Sequence, residues 1–298
     1  MASATPPAYA AIAVRAAAVA QVFVSDPAHP RLAAEDEHHL GRVLRLRPGE
    51  EIIAADGLGR WARTAWRGEA ALEPLSAGSG IGGDGGVQTE PPPEPSLTVA
   101  FAPVKGERPE WVVQKLTELG IDHIVPLLSE RSVVRWTGPR GQATVERLRR
   151  VAREAAAQCR RVWLPEVSDT VRFADLGDLG GPGEVVLAQL SGDRPTVYQR
   201  VVAVGPEGGW SSGELASGLP TVGFGLSVLR AETAAVTAGA LLASLRSGTV
   251  AAVDGSPGPD GTPGVDAVRA HHGHGGAPGA GKFGRVIGPE EKDGDPGS

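Results

Sequence analysis

Two stretches late in the chain carry residue types from which a ligand site could be built. The first is "GPEGG" at 205–209, between the apolar run "RVVAVG" and "WSSGEL"; the second is "GLSVLRAET" at 225–233. A glycine turn can hold phosphate, but "GPEGGW" matches neither the G-x-G-x-x-G fingerprint nor the G-x-x-x-x-G-K-[ST] loop, and no lysine follows it. What it offers is backbone N–H and C=O groups at close range, with Glu207 at the tip. In the second stretch Arg230 supplies a permanent cation, able to stabilise negative charge developing on an acceptor. Glu232 supplies a carboxylate able to take a proton. Its place in the first turn of a helix also suits the helix dipole, a purely structural role.

These stretches must be positioned by the segments around them. From 97 to 250 strand and helix patterns alternate. "SLTVAFAP" reads as a strand, then "RPEWVVQKLTELG" as a helix, with Pro109 at its first position and Gly120 just past its end. "IDHIVPLL", "EVVLAQL" and "RVVAVG" are short and nearly all apolar, as strands buried on both faces of a parallel sheet are. "ATVERLRRVAREAAAQC" is helical, with Val145, Leu148, Ala152, Ala155 and Cys159 on one stripe. Ser211 and Glu214 form a capping box. "AETAAVTAGALLASLRSG" closes the run, with the small face Ala234, Ala235, Ala238 and Gly239 suited to close packing. The expected class is α/β with an open, mostly parallel sheet.

Upstream, 20–75 has short alternating segments, the hairpin signal "DGLG" at 56–59 and one helical stretch, "AEDEHHLGRVL", which together describe a small β-barrel. Residues 76–96, rich in Gly and then Pro, read as a linker. Residues 1–19 read as a poorly ordered extension. Residues 251–298 read as a disordered tail, too poor in large apolar groups to offset their ordering entropy. The tail's His271, His272 and His274 lack a fourth ligand, so no metal site is assigned.

The 298 residues carry a formal charge of −6, which argues against a protein that coats nucleic acid nonspecifically. The distribution is uneven: nine arginines between 131 and 161 face only Glu146 and Glu154, a local field that attracts phosphate. One cysteine excludes a disulfide framework and fits a reducing, cytoplasmic setting. No apolar run reaches the roughly 20 residues that span a bilayer.

Taken with their spacing, "VGPEGGWSSGEL" and "LSVLRAETAAVTA" closely resemble the second and third motifs of the SPOUT, or trefoil-knot, RNA methyltransferases. "HHLGRVLRLRPGEEIIAADGLGRW" and "KGERPEWVVQKLTELGIDHIVPLLSERSVVRW" narrow the resemblance to the ribosomal RNA small subunit methyltransferase E family. That resemblance implies a PUA-like β-barrel followed by a SPOUT α/β-knot domain, whose C-terminal end threads a loop. It implies S-adenosylmethionine held by the turn after "LAQL" at Leu190, by Gly205, Pro206, Glu207, Gly208 and Gly209, and by Gly225, Leu226, Ser227, Val228, Leu229 and Arg230. The reaction implied is methylation of N3 of a uridine in 16S rRNA, within the 30S subunit, by a homodimer with the closing helix near the subunit interface and no metal.

Uracil N3 carries a proton and is a poor nucleophile at neutral pH, so the reaction needs a base and charge stabilisation. Arg230 is expected to bind a uracil oxygen and Glu232 to act as base. Arg42, Arg45 and Arg47 of the barrel, with Arg131, Gln158, Arg160 and Arg161, are expected on the RNA surface. The chain departs from the family at Ala157, where an acid is common, and at Arg160, where Gly is frequent. The same motifs also suit a methyltransferase for another RNA position, such as a ribose 2′-hydroxyl, or an RNA-binding protein without turnover.

Overall fold

A computed structural model describes residues 7–75 and 86–250. Among these, the N-terminal part forms a five-stranded sheet: β1 (Ala20–Phe23), β2 (Glu51–Ala55), β3 (Arg60–Ala65), β4 (Glu73–Pro74) and β5 (Val87–Thr89). β1 and β2 run parallel and the remaining pairs antiparallel. The "DGLG" turn joins β2 to β3 as expected. Asp56 shapes it by accepting the N–H groups of Leu58 at 2.7 Å and Arg60 at 3.0 Å. The expected helical stretch forms α2 (Ala34–His38), continued by a π-helical turn at His39–Val43. Leu40 from that turn packs with Val22, Ile52, Ala54 and Trp66 in the sheet's core.

Two expectations on either side of this sheet are corrected. Pro7–Ala17, read as part of a loose extension, forms helix α1. Its Arg15 is buried, lies 5.3 Å from the Trp61 ring and ion-pairs with Glu90. Part of the stretch read as a linker also belongs to the sheet. Val87–Thr89 pairs with β3, and Glu90 accepts from Trp61 Nε1 at 2.8 Å, so this stretch closes the sheet. The strand formers Val87 and Thr89 outweigh the flanking glycines and prolines once an unpaired strand edge is available. Residues 76–85 and 251–298, with the three tail histidines, lie outside the described residues.

The C-terminal part is the alternating α/β structure that the pattern predicts. Its elements are β6 (Thr98–Phe101), α3 (Arg108–Glu118), β7 (His123–Leu128), α4 (Gly138–Gln158), β8 (Glu166–Val167), β9 (Val171–Arg172), β10 (Val185–Asp193), β11 (Val201–Val204), α5 (Ser212–Leu215), β12 (Thr221–Val222) and α6 (Ala231–Arg246). The strand order is β12-β10-β11-β6-β7-β8, with β9 also on β7, and every pairing is parallel.

Alternation along the strands feeds two cores, one on each face. Val99, Phe101, Ile124, Val186, Val202 and Val204 point toward α3, α4 and α6. Ala100, Val125, Val185, Leu187, Val201 and Ala203 point to the other side, against Leu176 and Trp210. Burial on both faces is why these strands are apolar at consecutive positions.

The small face of α6 packs closely, as its residues predict. A side chain on Gly239 would meet Leu116 of α3 at 2.6 Å, and Ala235 and Ala238 belong to the same core. Its smallness lets α3 and α6 approach closely.

The two halves share a third core. Phe23, Ile53, Ala55 and Trp61 of the first sheet pack with Ala156 and Val162, which follow the buried stripe of α4. Arg153 of α4 donates to the Phe23 carbonyl at 2.7 Å and stacks on its ring at 5.0 Å.

Candidate functional site

A cavity of about 700 Å³ lies beyond the C-terminal ends of the neighbouring parallel strands β10, β11 and β12. Its walls come from the end of β10 (Ala188, Gln189, Leu190), from the turn after β11 (Gly205, Pro206, Glu207, Gly209, Trp210) and from the bend after β12 (Phe224, Gly225, Ser227, Val228, Leu229, Arg230). The two late glycine bends are thus side by side around one space.

Local chemistry fixes each wall. Gly205 lies under the Trp210 indole, where a side-chain carbon would stand 3.0 Å from the ring. Trp210 Nε1 donates to the Ala188 carbonyl at 2.9 Å, which ties the glycine turn to the end of β10. The turn closes with Gly209 N–H on the Pro206 carbonyl at 2.8 Å, and Gly209 adopts a φ of 66° that glycine takes without strain. The capping box then forms as expected: Glu214 N–H donates to Ser211 Oγ at 3.2 Å, and Ser211 N–H to Glu214 Oε2 at 2.8 Å. Burial alone would raise the Glu214 pKa, but the N–H groups of Ser211 and Glu130 hold it below the ordinary value.

Ten of the twelve expected cofactor residues line the cavity. The exceptions are Gly208, whose carbonyl accepts from Arg131 Nη1 at 3.0 Å, and Leu226, which points outward and is 97% exposed. Arg230 lines the cavity as the N-cap residue of α6.

Glu232 does not reach the cavity wall. Its side chain is 11% exposed, Oε1 accepts from Arg108 Nη1 at 3.3 Å, and Oε2 is buried without a partner among the described residues. Glu207 is the carboxylate at the wall among the described residues, and it too accepts from Arg108 Nη1, at 3.2 Å.

Arg108, the first residue of α3, is the site residue that sequence reasoning missed. It sits in "KGERPEW", 99 positions before Glu207 and 124 before Glu232. Its only sequence signal is that an arginine opens the helix that follows β6.

The expected RNA residues divide. Arg42, Arg45 and Arg47 are surface residues following α2, and Gln158 is exposed at the end of α4. Arg131 is exposed at the glycine turn. Arg160 and Arg161 are turned to the protein, contrary to expectation. Arg160 takes a φ of 63°, which accounts for the glycine frequent at this place, and donates to the carbonyls of Ala157 and Ala18, each at 2.9 Å. Arg161, 14% exposed, donates to the carbonyls of Thr117 at 3.1 Å and Ile121 at 2.8 Å and pairs with Asp122 at 3.1 Å.

A parallel sheet whose two late glycine bends meet around one cavity, joined to a small sheet domain rich in surface arginine, fits an RNA methyltransferase of the SPOUT class. The family model for the RNA methyltransferase domain matches residues 91–243, and that for the RNA methyltransferase PUA domain matches 32–65. Ribosomal RNA small subunit methyltransferase E of Synechocystis sp. is 34% identical over 217 residues, covering 67% of this chain and 68% of that protein. Its counterpart in Mycobacterium bovis is 32% identical over 224 residues, covering 68% and 82%. The fold matches the crystal structure of ribosomal RNA small subunit methyltransferase E from Neisseria gonorrhoeae, which was determined with bound S-adenosylmethionine, with a TM-score of 0.64 and 24% identity over 76% of this chain and 97% of that one. The chain belongs to the ribosomal RNA small subunit methyltransferase E family. No described helix is long and apolar enough to cross a membrane.

Proposed function

We propose that this protein transfers a methyl group from S-adenosylmethionine to N3 of a uridine in 16S rRNA, acting as a homodimer on the 30S subunit in the cytoplasm. The observation that carries this reading is the single cavity shared by the two glycine bends. Its volume falls within the range of about 300–1,000 Å³ usual for small-ligand sites, and it mixes apolar walls (Ala188, Val204, Trp210, Phe224) with exposed backbone and one carboxylate. That combination fits an adenosine joined to a charged amino-acid chain. The names of the relatives support ribosomal RNA as the substrate.

When bound, S-adenosylmethionine supplies a methyl group already activated by its sulfonium. The chain's own residues must then hold uracil N3 in line and manage its proton. Arg230, at the cavity wall, binds a uracil oxygen and stabilises the charge that spreads there as N3 loses its proton. Glu207, the carboxylate at the wall among the described residues, receives that proton. The part first expected of Glu232 thus passes to Glu207, because Glu232 is set back behind Arg108. The outward-facing Arg42, Arg45, Arg47 and Arg131 hold phosphates.

The test is to incubate small subunits lacking the modification with methyl-labelled cofactor and to identify the nucleoside. Label in 3-methyluridine of 16S rRNA is expected. Label on a ribose 2′-oxygen, or none, would reject this assignment.

A further inference from the structure

Arg108 stands at an unusual junction. One guanidinium nitrogen, Nη1, donates both to Glu207 of the glycine turn and to Glu232 of α6, at 3.2 and 3.3 Å. Nε donates to the carbonyl of Lys105, which fixes the side chain at the start of α3. The same side chain lines the cavity. Glu232 has no other partner among the described residues, and its second oxygen is buried and unpaired. The other charged groups nearby are differently engaged: Glu110 of α3 pairs with Arg147 of α4, Arg131 donates to the Gly208 carbonyl, and Arg230 has no ion-pair partner among the described residues. Two carboxylates from the two ligand bends therefore meet on a single cation brought by a third element.

We propose that Arg108 is a positioning residue that holds the glycine turn and the start of α6 in register around the cavity by bridging Glu207 to Glu232. This rests on the methyl-transfer reading of the same cavity. Without the bridge, two like charges face each other across the junction and push the bends apart. A residue that served only to start α3 would show no such dependence on the charge of a partner.

The experiment follows that charge logic in the full-length protein, through Arg108→Ala, Arg108→Lys, Glu232→Gln and the double variant Arg108→Ala/Glu232→Gln. Melting is measured without cofactor, and S-adenosylmethionine affinity by calorimetry. Arg108→Ala is expected to lower Tm by about 2–4 °C and to weaken cofactor binding about tenfold, the size of effect typical of coupled contacts. Adding Glu232→Gln to it should recover most of both losses, since the repulsion between the two carboxylates is removed. Arg108→Lys, which keeps the charge, should fall between wild type and Arg108→Ala. An Arg108→Ala variant that melts and binds like wild type would overturn the proposal, as would a double variant worse than either single. The melting cycle decides this even if the wild type binds no cofactor, a result that would instead reject the methyl-transfer reading.

Discussion

Glu214 Oε1 accepts the backbone N–H of Glu130 at 2.9 Å, from a residue 84 positions earlier in the chain. The same carboxylate closes the capping box on Ser211, so it fastens the loop after β7 to the turn that begins α5. The loop after β7 carries Arg131, whose guanidinium reaches the Gly208 carbonyl. A capping residue thus helps to set the outer edge of the ligand turn.

Replacing Glu214 with Gln is expected to cost about 2 kcal/mol, in the range for hydrogen bonds to charged groups, and to lower Tm by several degrees. The folded-state pKa of Glu214 lies below its ordinary value, so its contribution is complete at neutral pH and is lost as the pH falls through the folded-state value. The Tm gap between wild type and Glu214→Gln should therefore narrow on acidification below the usual glutamate range. A gap independent of pH between 7 and 3 would remove the charge from this account.

Trp210→Phe keeps the ring against Gly205 but loses the hydrogen bond to the Ala188 carbonyl. A loss of about 1 kcal/mol in stability is expected, with cofactor affinity weakened several-fold because the glycine turn is no longer tied to β10. Calorimetry and melting together check this; unchanged affinity would detach Trp210 from the site.

Arg230 is exposed and has no ion-pair partner among the described residues. Arg230→Ala should therefore change stability by no more than about 0.5 kcal/mol. Its turnover should fall by about 10²–10³, as when one charge-stabilising donor is removed. Near-normal single-turnover rates on small subunits would exclude Arg230 from the chemistry.

Arg161 and the barrel arginines should behave in opposite ways. Arg161→Ala strips donors from two carbonyls and from Asp122, which keeps Arg246 as its other cation. A destabilisation of about 2–4 kcal/mol is expected, with RNA affinity retained by the protein that remains folded. Arg42→Ala and Arg47→Ala should leave Tm unchanged and reduce the salt slope of RNA binding by about 1 each. Filter binding at several salt concentrations and melting curves distinguish the two groups.

The contrast between Arg161 and Arg42 also marks what the sequence could convey. Strand burial, the two glycine bends and the Ser211–Glu214 cap are local patterns, and each appears in the structure where its residues predicted it. An arginine has the same letter whether its guanidinium lies in solvent or closes on backbone carbonyls, so Arg160 and Arg161 looked like surface charge. The role of Arg108 depends on partners about a hundred residues away, and no spacing rule reaches that far. Helix α1 has the alanine-rich composition of a good helix former, but the contacts that fix it, Arg15 with Trp61 and Glu90, come from residues far along the chain.

The most direct test of the central claim, that the two late bends together hold the methyl donor, is titration of S-adenosylmethionine into the wild-type protein and into Gly205→Val. A side-chain carbon at 205 would stand 3.0 Å from the Trp210 ring, so this wall of the cavity must shift to admit it. Saturable binding of one cofactor per wild-type chain is expected, and its loss in Gly205→Val, with the circular dichroism of the folded protein preserved. Equal affinity in the two proteins, or no binding to the wild type, would contradict the claim.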